Sequence, residues 1–220
     1  MTGTEGELVL RIDGTRPMSA ASVEAVQALC DRAEDHDGPG MVTLHVSGAP
    51  DASRPRDLSV GLVSKWERAL RRLERLPVIT VAVASGDCGG IALDVLLAAD
   101  VRLAATGTRL LPAVDGDGAW PGMALHRLAQ QAGTAWTRRA VLLGAPIDAD
   151  EALAVHLFDR VTDDPAAALA AVAERAGTLA GAEPAIRRQL ILDASTTTFE
   201  DALGAHLAAC DRALRREARR

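Results

Sequence analysis

Residues 76–105 read LPVITVAVASGDCGGIALDVLLAADVRLAA, and the order of periods within them decides the fold. Pro77 ends the helix before it, because proline lacks the amide donor and clashes with the preceding turn. Val78 to Ala84 is then an almost purely apolar run, the pattern of a strand covered on both faces. Ser85-Gly86-Asp87-Cys88-Gly89-Gly90 reads as a glycine-rich turn. Ile91 to Ala99 is an apolar helix, and Asp100 to Ala105 a second strand. With the strand, helix, strand and helix that precede Val78 to Ala84 in the chain, the order strand, helix, strand, helix, strand predicts an α/β domain with right-handed crossovers.

Working toward the N-terminus, Val60, Val63, Trp66, Leu70 and Leu73 mark a helix, preceded by an irregular Pro- and charge-rich stretch from Gly48 to Asp57. Met41 to Ser47 and Glu7 to Ile12 read as strands. Ser19 is placed to cap a helix whose apolar stripe is Val23, Val26 and Leu29, and Asp37-Gly38-Pro39-Gly40 stops it. Toward the C-terminus, Pro121 suits the start of a helix, Thr134 is placed to cap one ending at Gly144, and Asp148 to cap a short one near Ala149. Leu157 to Val161 is a last short strand. From Pro165 onward the chain reads as helix in three pieces, broken at Gly181 to Pro184 and at Thr196 to Thr198. The expected division is a core over 1–163 and a C-terminal helical region over 164–220. The final helix, Phe199 to Arg220, carries an apolar stripe at Leu203, His206, Leu207 and Cys210 and a basic end suited to a helix C-terminus.

Composition excludes several classes. Of 220 residues, 48% are hydrophobic but only 2% aromatic, with no Tyr, so a stacking platform for single-stranded nucleic acid has too few rings to draw on. A net charge of -6 points the same way, against polyanions as partners. Cys30, Cys88 and Cys210 are far apart and odd in number, which speaks against a disulfide framework or structural zinc site and for a reducing cytoplasm. Neither a signal peptide nor a membrane span is expected from the sequence. His126, His156 and His206 show no metal-ligand spacing.

The glycine turn is the candidate site. Glycines between a buried strand and a helix leave the first helical N–H groups facing outward, where the helix dipole favours negative charge. Phosphate loops of the Walker type need a Gly-Lys-Ser/Thr end, and dinucleotide sites need Gly-x-Gly-x-x-Gly; neither pattern occurs. Stabilisation of an oxyanion remains. Cys88, beside the helix start, reads either as a small turn residue or as a reactive thiol.

Three separated blocks carry a resemblance: residues 76–105, WPGMALHRLAQQAG from Trp120, and LLGAPIDADEALAVHLFDRV ending at Val161. In order and spacing they resemble the crotonase, or enoyl-CoA hydratase/isomerase, superfamily. The resemblance implies a crotonase-like spiral of ββα units with a C-terminal helical region, assembled as trimers or pairs of trimers, that binds an acyl-CoA thioester as substrate and needs no other cofactor or metal. In that family two backbone N–H groups hold the enolate oxygen while carboxylates move protons. The resemblance places one donor at Gly90 and Ile91 and the other at Arg54, where Pro55 replaces a family glycine. Asp94 falls on the first catalytic carboxylate and Ala113 on the second, which leaves Asp115 and Asp117 as possible second acids. Arg54 and Arg56 are candidates to hold CoA phosphates or merely solubilise a loop. Asp94 reads either as the general acid or base or as an acid complementing the helix dipole.

Within the superfamily, the short chain, the single acid and the Gly-Asp-Cys-Gly-Gly turn look most like accessory crotonase-like proteins of 3,5-dihydroxyphenylacetyl-CoA synthesis in actinobacterial antibiotic clusters. That likeness implies a lyase-type enzyme assisting cyclisation, dehydration or aromatisation of a polyketide-type acyl-CoA. The competing reading is a non-catalytic partner that activates a type III polyketide synthase. Hydrolysis by the same oxyanion site is a third.

Overall fold

The computed structural model describes residues 8–36, 40–51, 58–112, 114–115, 118–119, 122–178 and 183–217. In chain order the elements are β1 (Val9–Asp13), α1 (Ala20–Glu34), β2 (Met41–Gly48), α2 (Val60–Leu73), β3 (Ile79–Gly89), α3 (Gly90–Leu97), β4 (Val101–Ala105), β5 (Arg109–Leu111), β6 (Val114–Asp115), β7 (Gly118–Ala119), α4 (Met123–Ala132), α5 (Thr134–Leu143), β8 (Ile147–Asp148), α6 (Ala149–Ala154), β9 (Arg160–Thr162), α7 (Pro165–Ala176), α8 (Glu183–Ala194) and α9 (Phe199–Glu217). Among the described residues, seven strands form one sheet in the order β1-β2-β3-β4-β9, with β5 pairing β3 and β8. The pairings are parallel except β5 with β8. The α/β class expected from the order of strands and helices is what the chain adopts, with a mainly parallel sheet.

Alternation along β3 explains the two covered faces. Successive strand residues point to opposite sides. Ala82 and Ala84 join the main core with Val42, Leu44, Leu93 and Leu96, while Val81 and Val83 join a second cluster with Leu103 and Ala168. Ala168, from α7, brings Leu169 and Val172 onto that second face. The first helix of the C-terminal region thus covers the sheet.

The structure corrects the reading of Ser85 to Gly89 as a turn. β3 does not stop at Ala84; it runs on to Gly89 and changes neighbour. Val81 to Ala84 pair with β4, whereas Asp87 to Gly89 pair with β5. Gly86, at φ +63, supplies the bend, because a side chain is strained in that left-handed region. Strands β5 and β8 are too short to show a period in the sequence. The last strand also lies later than expected, at Arg160–Thr162, because Leu157 and Phe158 are spent filling the core with no exposed surface.

The helix signals fare unevenly. Ser19 caps α1 in a reciprocal capping box with Ser22, as its position suggested. Thr134 does not cap α5; Gly133 occupies the cap with no side-chain bond. Asp148 is the cap residue of α6 but its side chain makes no capping bond. Pro121 lies outside the described residues. The break before α9 falls at the expected Thr196 to Thr198, whereas the earlier one does not match Gly181 to Pro184: α7 already ends at Ala176, and Glu183 and Pro184 belong to α8.

Helix α8 has no buried residue and is tied down by charge. Arg188 donates from Nε and Nη2 to Asp100, both at 2.5 Å, from Nη1 to the Leu76 carbonyl at 2.5 Å and from Nη2 to the Val78 carbonyl at 3.0 Å. Asp100 in turn accepts from the Thr80 amide at 2.9 Å and hydroxyl at 3.0 Å. The Arg188 side chain is 12% exposed, so its loss lies between the surface and buried limits. Arg188→Ala is expected to cost about 1–3 kcal/mol in chemical denaturation. Arg188→Lys should recover little of it, since one ammonium cannot reproduce the planar fork.

Candidate functional site

The C-terminal ends of β1, β2 and β3 meet at the start of α3. The approach there is backbone to backbone: a Cβ on Gly14, just after β1, would lie 2.2 Å from the Gly48 carbonyl oxygen and 2.6 Å from that of Gly89. Only glycine fits at such a distance. Gly90 opens α3 at φ +51, and Pro50 packs over it, 3.1 Å from where its Cβ would be. The N–H groups of a first helical turn have no acceptor inside the helix, and those of Gly90 and Ile91 lie at this junction. The Ile91 side chain turns into the main core and is 6% exposed.

One turn along, Asp94 is 9% exposed. Its Oδ2 accepts the indole N–H of Trp66, from α2, at 2.9 Å. Burial pushes its carboxyl from the ordinary value of 3.8 up to about 6, against the Trp66 hydrogen bond, which favours the ionised form. Glu67 raises it further and Arg127 lowers it. Arg127 sits in α4 with its side chain 8% exposed and pairs with Glu67 at 3.0 Å and Glu74 at 2.7 Å. Glu67 and Arg127 also line an open cleft of about 490 Å³ between α2 and α4. A buried carboxyl whose pKa is raised to about 6, one helical turn from the start of α3, has the chemistry a general acid or base requires.

Matches to known proteins give this geometry its family. The model of the enoyl-CoA hydratase/isomerase family matches residues 57–217. A protein of Amycolatopsis orientalis named "Enoyl-CoA-hydratase" is 64% identical over 213 residues, 97% of this chain and 98% of that one. The chain belongs to the enoyl-CoA hydratase/isomerase family. Solved structures show the same fold. An enoyl-CoA hydratase/isomerase from Marinobacter aquaeolei matches with TM-score 0.80 at 16% identity, over 94% of this chain and 87% of that one. An enoyl-CoA hydratase from Mycobacterium smegmatis matches with TM-score 0.73 at 19% identity, over 93% and 87%.

Within this member of the crotonase superfamily, the structure brings Gly90, Ile91 and Asp94 onto one short helix. Arg54, Arg56 and Asp117 lie outside the described residues, as does Ala113. Asp115 is placed by its backbone in β6, paired with Gly118 of β7. Cys88 is a buried residue of β3 and fills no turn: its Sγ lies within hydrogen-bonding reach of the Val46 carbonyl at 3.5 Å and that of Ser85 at 3.8 Å, and burial pushes its thiol up to about 11. Among the described residues no group of three or more His, Cys, Asp or Glu side chains is placed to hold a metal ion, and no helix is long and apolar enough to cross a membrane. Trp66, Glu67 and Arg127 are the site residues that sequence reasoning missed. Trp66 reads as one more apolar position on its helix; the available signal was its indole N–H, since a buried indole usually finds an acceptor.

Two measurements test this picture. The folded Asp94 carboxyl binds its proton more tightly than the unfolded one, so its contribution to stability is present below pH 3.8 and is lost as pH rises to about 6. Asp94→Asn is therefore expected to become progressively more stable than the parent across that window, by of order 1–3 kcal/mol above it. In thiol labelling of the native protein, exposed Cys210 should react first, with buried Cys30 and Cys88 following only on unfolding.

Proposed function

We propose that this protein is a lyase-type acyl-CoA enzyme in which Asp94 moves the proton and the N–H groups of Gly90, Ile91 and Arg54 hold the thioester oxygen. The observation that carries it is the buried Asp94 carboxyl, held by Trp66 one turn from the start of α3. Asp94 takes a proton from the carbon next to the thioester, and the electron pair moves onto the thioester oxygen as an enolate. The pair then returns to form a carbon–carbon double bond as a β-hydroxyl leaves. The same proton passes from Asp94 to that hydroxyl, so water departs and the carboxylate is restored. One carboxylate closes this cycle, which suits a chain whose family resemblance puts Ala113 at the second acid position. Asp115 and Asp117 are the reserve acids, and Arg54 and Arg56 the CoA-phosphate ligands.

The substrate class that fits best is a polyketide-type acyl-CoA on the way to 3,5-dihydroxyphenylacetyl-CoA, in antibiotic biosynthesis. Loss of water toward an aromatic ring is downhill once the enolate is held, so a single general acid–base group meets the demand. The setting is the cytoplasm, where unpaired thiols stay reduced.

A second reading, a crotonase-fold partner that activates a type III polyketide synthase, is favoured by one observation. Ile191, Phe199, Leu207 and Leu214 are 72%, 75%, 59% and 66% exposed along α8 and α9, an apolar surface that the synthase, or further copies of this chain in a trimer or hexamer, would cover.

Solvent deuterium exchange at the carbon beside the thioester of an acyl-CoA, followed by NMR, separates the readings. Asp94→Asn is expected to lower the exchange rate roughly 100- to 10,000-fold with the fold retained. Undiminished exchange would overturn the role of Asp94. No exchange by the parent protein, with both proteins accelerating the synthase equally, would establish the partner reading instead.

A further inference from the structure

Trp66 has no exposed surface and spends its only polar atom on Asp94. Indole carries one N–H and no acceptor, so the bond to Oδ2 at 2.9 Å runs in one direction whatever the charge on the carboxyl. This makes the two oxygens of Asp94 unequal. A proton on Oδ2 directed at the indole would set two hydrogens face to face, whereas a proton on Oδ1 leaves the bond intact. The contact between α2 and α3 therefore survives both protonation states.

We propose that Trp66 is a positioning residue for Asp94: its indole N–H fixes the carboxyl and reserves Oδ2, so that the proton is taken up and released at Oδ1. The inference deepens the reading of Asp94 as the proton carrier and rests on it. A tryptophan that merely filled space would orient nothing and would leave Asp94 unchanged when its N–H was removed.

The other charged groups that act on Asp94 are Glu67 on α2 and Arg127 on α4, and Arg127 is itself held by Glu67 and Glu74. These contacts remain when only the indole N–H is deleted, so a substitution at Trp66 isolates its contribution. Burial disfavours the Asp94 carboxylate while the Trp66 bond favours it. With the bond gone and burial kept, the group must become harder to ionise.

Two replacements test this. Trp66→Phe removes the N–H together with part of the ring, and 3-benzothienylalanine at position 66 puts sulfur in place of the N–H with the shape retained, which answers any failure of Trp66→Phe to fold. Asp94 is followed by NMR in protein carrying carbon-13 at its aspartate carboxyls, its signal assigned by its loss in Asp94→Asn. In the replaced proteins Asp94 is expected to titrate about one pH unit higher than in the parent. The acid limb of kcat/KM for deuterium exchange should move by the same amount. An unmoved Asp94 titration in the benzothienylalanine protein, with or without a lower melting temperature, overturns the proposal and leaves Trp66 a packing residue. A moved titration with an unmoved acid limb upholds the hold of Trp66 on the carboxyl and overturns the reading of Asp94 as the proton carrier.

Discussion

The change of partner within β3 is the constraint on which the site depends. A strand that pairs with β4 through Ala84 and with β5 from Asp87 has to turn between the two ladders, and it does so at Gly86 without breaking its own run. The turn delivers Gly89 and Gly90 to the ends of β1 and β2, where glycine backbones pack against one another. Helix α3 starts from that contact, so its open end faces the junction rather than the core.

From that start, α3 runs straight into apolar surroundings. Each of its residues from Ile91 to Leu97 is buried, and Asp94 is carried in with them. A carboxylate in that setting is unfavourable to the fold, because burial penalises its charged form and raises its pKa to about 6. Trp66 offsets part of the penalty without cancelling it. A neutral acceptor in place of Asp94 would make a quieter core, so the proposed role in proton transfer is what would set its retention against stability.

Residues 76–105 disclosed the fold because buried strands and helices leave a periodic imprint on one continuous segment. Ser19 and the break before the last helix were legible for a similar reason: capping and chain interruption are local events. Strands β5 and β8 left no such imprint, being three and two residues long and defined by neighbours far along the chain. Gly86 looked like a stop because sequence shows that a bend is permitted but not that the strand resumes after it. At the site, Asp94 could be placed one turn from Gly90 by spacing alone. Its partner could not, since Trp66 reaches it from 28 residues away and only the packing of two helices makes them neighbours.

The anchoring of α8 has a different kind of consequence. Apolar contacts tolerate sliding, because one methyl group replaces another at little cost. The Arg188 fork does not: its bonds to Asp100, Leu76 and Val78 are met at one register of the helix and at no other. The hairpin of α8 and α9 is accordingly fixed by address more than by adhesion. One side chain thus ties α8 to the start of β3 and to the turn before β4.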